Sequence, residues 1–199
     1  AARGAQLLLD SGLLGEVLPE VAAMQGVQQP PQFHPEGDVW THVRMVLERL
    51  DSPGPALAWA ALLHDVGKPP TFREEERIRF DEHDAVGARM AGQICRRLRL
   101  ARGESETIGQ LVGQHMRFRH VRQMRPSKLK RFLREPYFGE LLELHRIDCL
   151  ASHGNLDIYE FCRHQLALIE PEELRPARLL DGGDLIAMGL TPGPVFREI

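Results

Sequence analysis

Six ionisable side chains lie at positions where the helical pattern of the sequence calls for apolar residues. They are His42, His64, Asp65, His83, His115 and Asp148. His42, for example, follows Val39 by three residues and precedes Val46 by four, so a helix places all three on its buried face. Burying an imidazole or a carboxylate without a partner is costly. We therefore predict that the six side chains converge on a divalent metal site, which would satisfy them together.

Each of these residues also has a simpler explanation. A lone histidine on an apolar face is more often a hydrogen-bonded core residue, and Asp148 could pair with Arg146 or Lys130. Six such residues on five predicted helices weaken these explanations, and the adjacent His64-Asp65 at the end of a very apolar helix is the hardest to attribute to packing. Imidazole together with carboxylate suits Mn, Fe, Co, Ni or Zn, and Mg less readily. One or two such ions are expected.

The elements that must position these residues are helical, because apolar residues recur at helical spacing nearly throughout, which predicts an all-α fold. Asp38 is a candidate N-cap for the helix that carries His42. No strand is predicted, and the charged stretch 73–79 is assigned to a loop, as is 27–35. The predicted helices lie within 5–24, at 38–50, from Leu57 to a stop at Gly67 and Pro69, and at about 81–100, 104–117, 127–135, 138–153 and 156–169.

The composition is that of an ordinary globular domain with a core, since 43% of the 199 residues are hydrophobic. A net charge of -3 argues against nucleic-acid binding through overall positive charge, although a local basic patch remains open. Three widely separated cysteines predict unpaired thiols in a reducing, cytoplasmic compartment. No membrane span or signal peptide is predicted. The start without Met and the abrupt end predict a fragment of a longer protein.

A family resemblance follows from the order and spacing of the six residues. His42, His64-Asp65 and Asp148 resemble the H…HD…D signature of the HD superfamily of metal-dependent phosphohydrolases. The stretch from His64 to Pro69 is similar to the HDxGKP variant of that signature, and the resemblance covers about 38–153. The (p)ppGpp hydrolases usually carry an HDxxED motif, whereas Gly67-Lys68 follow in this chain, and the Gly-Tyr-Pro element of cyclic-di-GMP enzymes is missing. The resemblance implies an HD helical bundle with an uncertain substrate.

A narrower resemblance covers nearly the whole chain and points to bacterial CCA-adding tRNA nucleotidyltransferases and poly(A) polymerases. It rests on Leu13-Leu14, Leu18-Pro19-Glu20, Gln29-Pro30, 34–42, Asp184-Leu185-Ile186, Gly189-Leu190 and Pro192-Gly193-Pro194. The chain looks like the downstream half of these enzymes. The upstream nucleotidyltransferase domain is expected to be absent. The sequence has no Gly-Gly-x-Arg-Asp stretch, and it has no DxD pair of carboxylates within a predicted strand. The implied organisation is an N-terminal helical segment at 1–37, the HD domain at 38–170, and an irregular, truncated tail at 171–199.

The resemblance also implies roles for the site residues. His42, His64, Asp65 and Asp148 would hold a first ion. Asp65 would bridge to a second ion completed by the histidines at the positions where binuclear members carry two more, His83 and His115. Such ions activate water for attack on phosphorus. Asp65 and Lys68 are the predicted catalytic residues, with Lys68 placing a positive charge beside the substrate phosphate. The alternative for Lys68 is a solvated side chain after a helix end.

A basic run without any acidic residue follows His115. Its members are Arg117, Arg119, Arg122, Arg125, Lys128, Lys130, Arg131 and Arg134. Solvated charge and a phosphate or RNA contact surface are both open interpretations, and Arg117 is predicted to reach the substrate. His34 and Glu36 either border the pocket or make loop hydrogen bonds, and His145 is either structural or a second-layer residue.

Three functions remain open from the sequence. The first is a phosphohydrolase acting on nucleotides or RNA ends. The second is the RNA-binding helical body of a tRNA nucleotidyltransferase, with tRNA as partner and a vestigial or structural metal site. The third is an effector-binding regulatory domain. The presence of all six candidate ligands favours the first.

Overall fold

The computed structural model describes residues 1–169, 182–193 and 196. The described helices are α1 (Ala2–Asp10), α2 (Leu13–Val17), α3 (Pro19–Ala22), α4 (Val39–Glu48), α5 (Pro55–Leu63), α6 (Lys68–Thr71), α7 (His83–Arg97), α8 (Arg102–Gln114), α9 (Pro126–Leu133), α10 (Phe138–Ala151), α11 (Asp157–Ala167) and α12 (Gly182–Ala187). A 3-10 helix, η1 (His115–Gln123), joins α8 to α9. The structure confirms the all-α prediction. Residue 170, the predicted end of the HD domain, and the parts of the predicted irregular tail at 171–181, 194–195 and 197–199 lie outside the described residues.

Two predictions about local structure were wrong. The stretch assigned to a loop contains a two-stranded antiparallel hairpin, β1 (Phe72–Glu74) and β2 (Ile78–Phe80), in which Phe72 pairs with Phe80. Strands of three residues, largely exposed, are too short to display an alternating pattern. The tail also holds the short helix α12, where the sequence predicted no regular structure.

The helix that carries His42 begins where the sequence predicts. Asp38 caps α4, because its Oδ1 accepts a hydrogen bond of 2.9 Å from the Thr41 amide. Its Oδ2 accepts a second one, of 2.6 Å, from the amide of Gly26. The same side chain therefore starts the helix and ties down the loop in front of it.

A single hydrophobic core joins the helices that surround the site. Buried side chains of α4, α5, α7, α8 and α10 contribute to it, and so do Leu14, Leu18, Val21 and Met24 from the N-terminal segment. The domain boundary after residue 37 remains a prediction. Cys95, Cys149 and Cys162 are buried and unpaired. Among the described residues, no helix combines the length and apolar character needed to cross a bilayer.

Candidate metal centre

The four predicted histidine ligands form two close pairs in the interior. Nε2 of His42 lies 3.3 Å from Nε2 of His64, and Nε2 of His83 lies 3.2 Å from Nε2 of His115. All four side chains are buried. Residues 22 and 32 positions apart in the chain therefore present the same ring atom to each other.

Asp65 lies between the two pairs and turns one oxygen toward each. Its Oδ2 is 3.3 Å from His64 Nε2 and 3.8 Å from His42 Nε2. Its Oδ1 is 3.7 Å from His83 Nε2 and 3.9 Å from His115 Nε2. Asp148 joins the first pair, with Oδ1 at 3.0 Å from His42 Nε2 and a quarter of its side chain exposed. All six predicted residues are thus brought together.

Five helices deliver these side chains. His42 projects from α4, His64 ends α5, and His83 is the first residue of α7. His115 stands where α8 passes into η1, and Asp148 lies near the end of α10. Most of the candidate ligands therefore lie at helix termini, where the backbone changes direction and the side chains of different helices can meet.

Gly67 allows two of these elements to approach each other. A Cβ atom on Gly67 would overlap the carbonyl oxygen of His83 and lie 2.7 Å from the amide nitrogen of Gly87. The turn after His64-Asp65 consequently packs backbone to backbone against the first turn of α7. This contact brings Asp65 next to His83.

Each histidine is held by a hydrogen bond on the ring atom that faces away from the centre. Nδ1 of His64 donates to Ala61 O (3.0 Å), Nδ1 of His83 to Phe80 O (2.8 Å), and Nδ1 of His115 to Val112 O (2.7 Å). Because a carbonyl oxygen can only accept, Nδ1 must carry the proton. In a neutral ring, Nε2 then presents a lone pair to the interior.

This arrangement fits a divalent cation. Two nitrogen lone pairs that face each other at about 3 Å repel unless a positive charge lies between them. Asp65 Oδ2 is buried and accepts no hydrogen bond from the described residues, although Lys68 Nζ lies 2.7 Å away and balances its charge. Four imidazole nitrogens and two carboxylates are the donor set of first-row divalent ions. The residues therefore fit the predicted metal.

The electrostatics of the metal-free protein support the same interpretation. Burial alone would lower the pKa of His42, but hydrogen bonds to Asp148 and Glu36 outweigh it and raise that pKa to about 9. Burial also opposes ionisation of Asp148, yet the hydrogen bond from His42 holds the pKa of this carboxyl well below its usual range. Burial, with His83 and His64 nearby, lowers the pKa of His115 to about 3. In the metal-free protein at neutral pH, His42 is therefore protonated and pairs with the Asp148 carboxylate, while the His115 ring is neutral.

Comparison with known proteins agrees with this geometry. The family model described as "HD domain" matches residues 38–148. The chain belongs to the HD domain family. The match begins at the N-cap of α4 and ends at Asp148, and it therefore includes all six residues of the candidate metal centre.

Curated relatives of this HD domain chain carry the names A-adding tRNA nucleotidyltransferase and Multifunctional CCA protein. The A-adding tRNA nucleotidyltransferase of Deinococcus radiodurans is 34% identical over 216 aligned residues, covering 100% of this chain and 49% of that protein. The Multifunctional CCA protein of Pseudomonas paraeruginosa is 35% identical over 159 residues, covering 75% of this chain and 38% of that protein. The Multifunctional CCA protein of Laribacter hongkongensis is 32% identical over 188 residues, covering 90% of this chain and 45% of that protein. The chain spans about half the length of these relatives, or less.

Lys68 of the HD domain motif is not the solvated side chain that the sequence left as an alternative. Only 5% of the residue is exposed. Its Nζ lies 2.7 Å from Asp65 Oδ2, donates a 2.6 Å hydrogen bond to Gln29 Oε1, and sits 5.5 Å from the centre of the Phe80 ring. A positive charge is therefore fixed beside the carboxylate between the histidine pairs. Its contact with substrate remains a prediction.

Two side chains that contact the candidate site come from the loop in front of α4. Glu36 Oε1 accepts hydrogen bonds from Nδ1 of His42 (2.6 Å) and Nδ1 of His34 (2.8 Å). Gln29 is buried and holds Lys68. The sequence left Glu36 between a pocket role and a loop role, and it gave no chemical signal for Gln29. Side chains in an irregular loop lack the periodicity that reveals which of them point inward.

Arg117 borders a cleft that opens beside His83. The cleft has a volume of about 470 Å³, with Phe80, Asp81 and Asp84 on its lining together with Arg117 and His120. The guanidinium of Arg117 donates to Gln114 Oε1 at 2.6 Å and lies 4.3 Å from the centre of the Phe132 ring. This side chain is therefore fixed at the edge of the cleft.

Asp148 and His145 differ in their relation to the candidate metal centre. Arg146 pairs with Glu143 at 2.7 Å, whereas Asp148 turns toward His42. His145 stacks on Phe118, with ring centres 4.2 Å apart, and belongs to the packing beneath η1 rather than to the metal centre.

Proposed function

We propose that this chain is a metal-dependent phosphoester hydrolase that acts on nucleotides or RNA ends. The observation that carries the proposal is the orientation of the four histidines. Each has its Nδ1 committed to an oxygen acceptor and its Nε2 turned toward Asp65. A histidine that only packs in a core has no need to meet three others in this way.

The residues divide into two half-sites around Asp65. His42, His64 and Asp148 would hold one cation with Asp65 Oδ2, and His83 and His115 a second with Asp65 Oδ1. Bound divalent cations would activate water and neutralise charge on a phosphoryl group. The candidate metals for this donor set are Mn, Fe, Ni, Co and Mg, and the transition metals are better matched to imidazole.

Other side chains of the chain would bind and orient the ester. Arg117, fixed at the mouth of the cleft beside His83, offers guanidinium donors that suit a phosphate. The Lys68 ammonium lies 2.7 Å from Asp65 and would lower the local negative potential that a phosphate meets. The names of the relatives support a nucleotide or an RNA as the substrate, and tRNA as the partner of the longer protein.

The test is hydrolysis by the purified chain. Bis(p-nitrophenyl) phosphate and 2′,3′-cyclic AMP are offered with Mn²⁺, Ni²⁺, Co²⁺ or Mg²⁺, and Asp65→Ala serves as the inactive control. Turnover that requires one of these ions and is lost in Asp65→Ala is expected. If the chain showed no turnover with any of the four ions, the proposal would be wrong.

A second candidate function rests on a different observation. The basic run is exposed at most of its positions along η1 and α9, and no acidic residue lies between Arg117 and Arg134. This surface supports an RNA-binding body, with the metal centre in a structural role. RNA binding that survives Asp65→Ala, in a chain without metal-dependent turnover, would favour this function over hydrolysis.

A further inference from the structure

The loop that precedes α4 lies outside the family match, which begins at residue 38. The shared HD motif therefore does not account for what this loop contributes. Two of its side chains nevertheless reach the candidate metal centre, Glu36 at His42 and Gln29 at Lys68. The loop is tied to the body of the domain by the hydrogen bond from Gly26 to the helix cap Asp38.

Glu36 is an unusual residue for such a loop. Its side chain is only 4% exposed, and its Oε2 is buried without a hydrogen bond from the described residues. Burial of a carboxylate in this state is costly unless its other oxygen makes strong contacts. Oε1 does so, with His42 Nδ1 at 2.6 Å and His34 Nδ1 at 2.8 Å.

The position of Glu36 defines what it can do to His42. It contacts Nδ1, whereas Asp148 and His64 contact Nε2 of the same ring. A carboxylate can only accept, so Glu36 fixes one ring proton on Nδ1 and leaves Nε2 as the nitrogen that a cation would bind in place of the second proton. The other three histidines are held by backbone carbonyl oxygens, and His42 alone among the four depends on a side chain.

We infer that Glu36 is a positioning residue of the metal centre, which orients the His42 ring and strengthens its Nε2 as a ligand. His34 is the second hydrogen-bond donor that holds Glu36 in place. The inference rests on the proposed metal centre and assigns part of its affinity to a loop outside the HD match. Partners of this kind change metal affinity by about 10–100-fold when they are removed.

The experiment measures metal binding directly, with Mn²⁺ as the probe and the metal-free chain in a calorimeter. Glu36→Ala removes the contact, Glu36→Gln keeps the shape but not the charge, and Glu48→Gln is the matched control, an exposed carboxylate on the helix of His42. Glu36→Ala is expected to weaken Mn²⁺ binding by about 10–100-fold. Glu36→Gln should recover part of this loss through its amide oxygen, and Glu48→Gln should match the wild type.

A second measurement separates positioning from a general loss of structure. Thermal unfolding of each variant is followed in chelator and in excess Mn²⁺. A positioning role predicts that Glu36→Ala mainly reduces the rise in melting temperature that Mn²⁺ produces. An equal drop in both conditions, with unchanged Mn²⁺ affinity, would show that Glu36 is only a structural residue. Wild-type protein that failed to bind Mn²⁺ would overturn the proposed function together with this inference.

Discussion

At the scale of single residues, an ion pair with Lys68 balances the charge of the buried Asp65 carboxylate in the metal-free protein. This carboxylate is 2% exposed and meets Lys68 at 2.7 Å. The nearby His64 and Lys68 overcome the effect of burial and hold the pKa of Asp65 well below its usual range. A divalent cation and the Lys68 ammonium would both be drawn to the same oxygen, so their effects on stability are coupled.

Lys68→Met tests this coupling. Removing one partner of a buried pair leaves an uncompensated charge, which typically costs about 3–5 kcal/mol. We expect the free energy of unfolding of the metal-free variant to fall by about this amount. We also expect Mn²⁺ to raise the melting temperature of the variant more than that of the wild type. Lys128→Met, at an exposed lysine, is the control. Equal rises in melting temperature for wild type and Lys68→Met would contradict the coupling.

His145 leads to a prediction about pH. Burial against Phe118 lowers the pKa of this imidazole from 6.5 to about 4. The unfolded chain therefore takes up a proton at higher pH than the folded one. His145 makes its full contribution to stability above pH 6.5, the pKa of the imidazole in the unfolded chain. That contribution is lost as the pH falls from this value toward about 4, the pKa in the folded chain. At pH near 5 the loss reaches about 2 kcal/mol.

The measurement is urea unfolding between neutral pH and about pH 5 for the wild type and His145→Phe. The phenyl ring keeps the stacking partner of Phe118 but cannot be protonated. The free energy of unfolding should therefore fall less steeply with acidity in the variant. Identical slopes for the two proteins would show that His145 does not carry this effect.

At the scale of elements, the contact between the turn at Gly67 and the start of α7 determines whether the two half-sites meet. Gly67→Ala introduces a Cβ where the His83 carbonyl and the Gly87 amide already lie. Overpacking of this kind usually costs about 1–3 kcal/mol, and backbone contacts on both sides place this case at the upper end. We expect lower stability and weaker Mn²⁺ binding, measured by unfolding and by calorimetry.

Gly109→Ala is the matched control for that substitution. Gly109 lies inside α8, and no atom lies within 4 Å of a Cβ built there. Alanine in a helix interior is favoured over glycine by roughly 0.5–1 kcal/mol. The two Gly→Ala changes should therefore have opposite signs, and a Gly67→Ala protein as stable as Gly109→Ala would refute the packing argument.

The sequence predicts elements well where they are long and periodic. The stripes of α4, α7, α8 and α10 placed His42, His83, His115 and Asp148 on buried faces, since helical spacing determines which residues share a face. The hairpin was missed because its strands are short and exposed. Glu36 and Gln29 could not be assigned because their positions depend on the path of an irregular loop, which tertiary contacts such as Gly26 to Asp38 determine.

At the scale of the whole molecule, an acidic chain carries a concentrated basic surface. The net charge is -3, yet the basic run places eight Lys and Arg residues along η1 and α9. Local positive charge of this kind can attract a polyanion even when the overall charge is negative. The run begins two residues after His115 of the candidate metal centre, and binding and hydrolysis would therefore involve neighbouring surfaces.

The double variant Arg125→Glu/Lys128→Glu tests RNA binding by this surface. Both residues are exposed at the start of α9, where acidic side chains suit the helix dipole, so folding should be preserved. We expect weaker tRNA binding, with a plot of log affinity against log salt that is shallower by about 1–2 units. Hydrolysis of bis(p-nitrophenyl) phosphate should stay unchanged.

Arg89→Glu/Arg102→Glu reverses the same number of charges on α7 and α8 and serves as the control for that experiment. Its tRNA affinity and salt dependence should resemble those of the wild type. If both double variants lost affinity equally, binding would reflect the overall charge rather than the basic run.

The 3-10 helix η1 has a consequence for how a long polyanion would lie. Residues three apart eclipse one another at intervals of about 6 Å in such a helix. His115, Phe118 and Val121 face inward at this interval, while Arg119 and Arg122 are exposed. Arg119 also lines the cleft beside His83. A polyanion that followed these two arginines would therefore be led along one face of η1 to the mouth of that cleft.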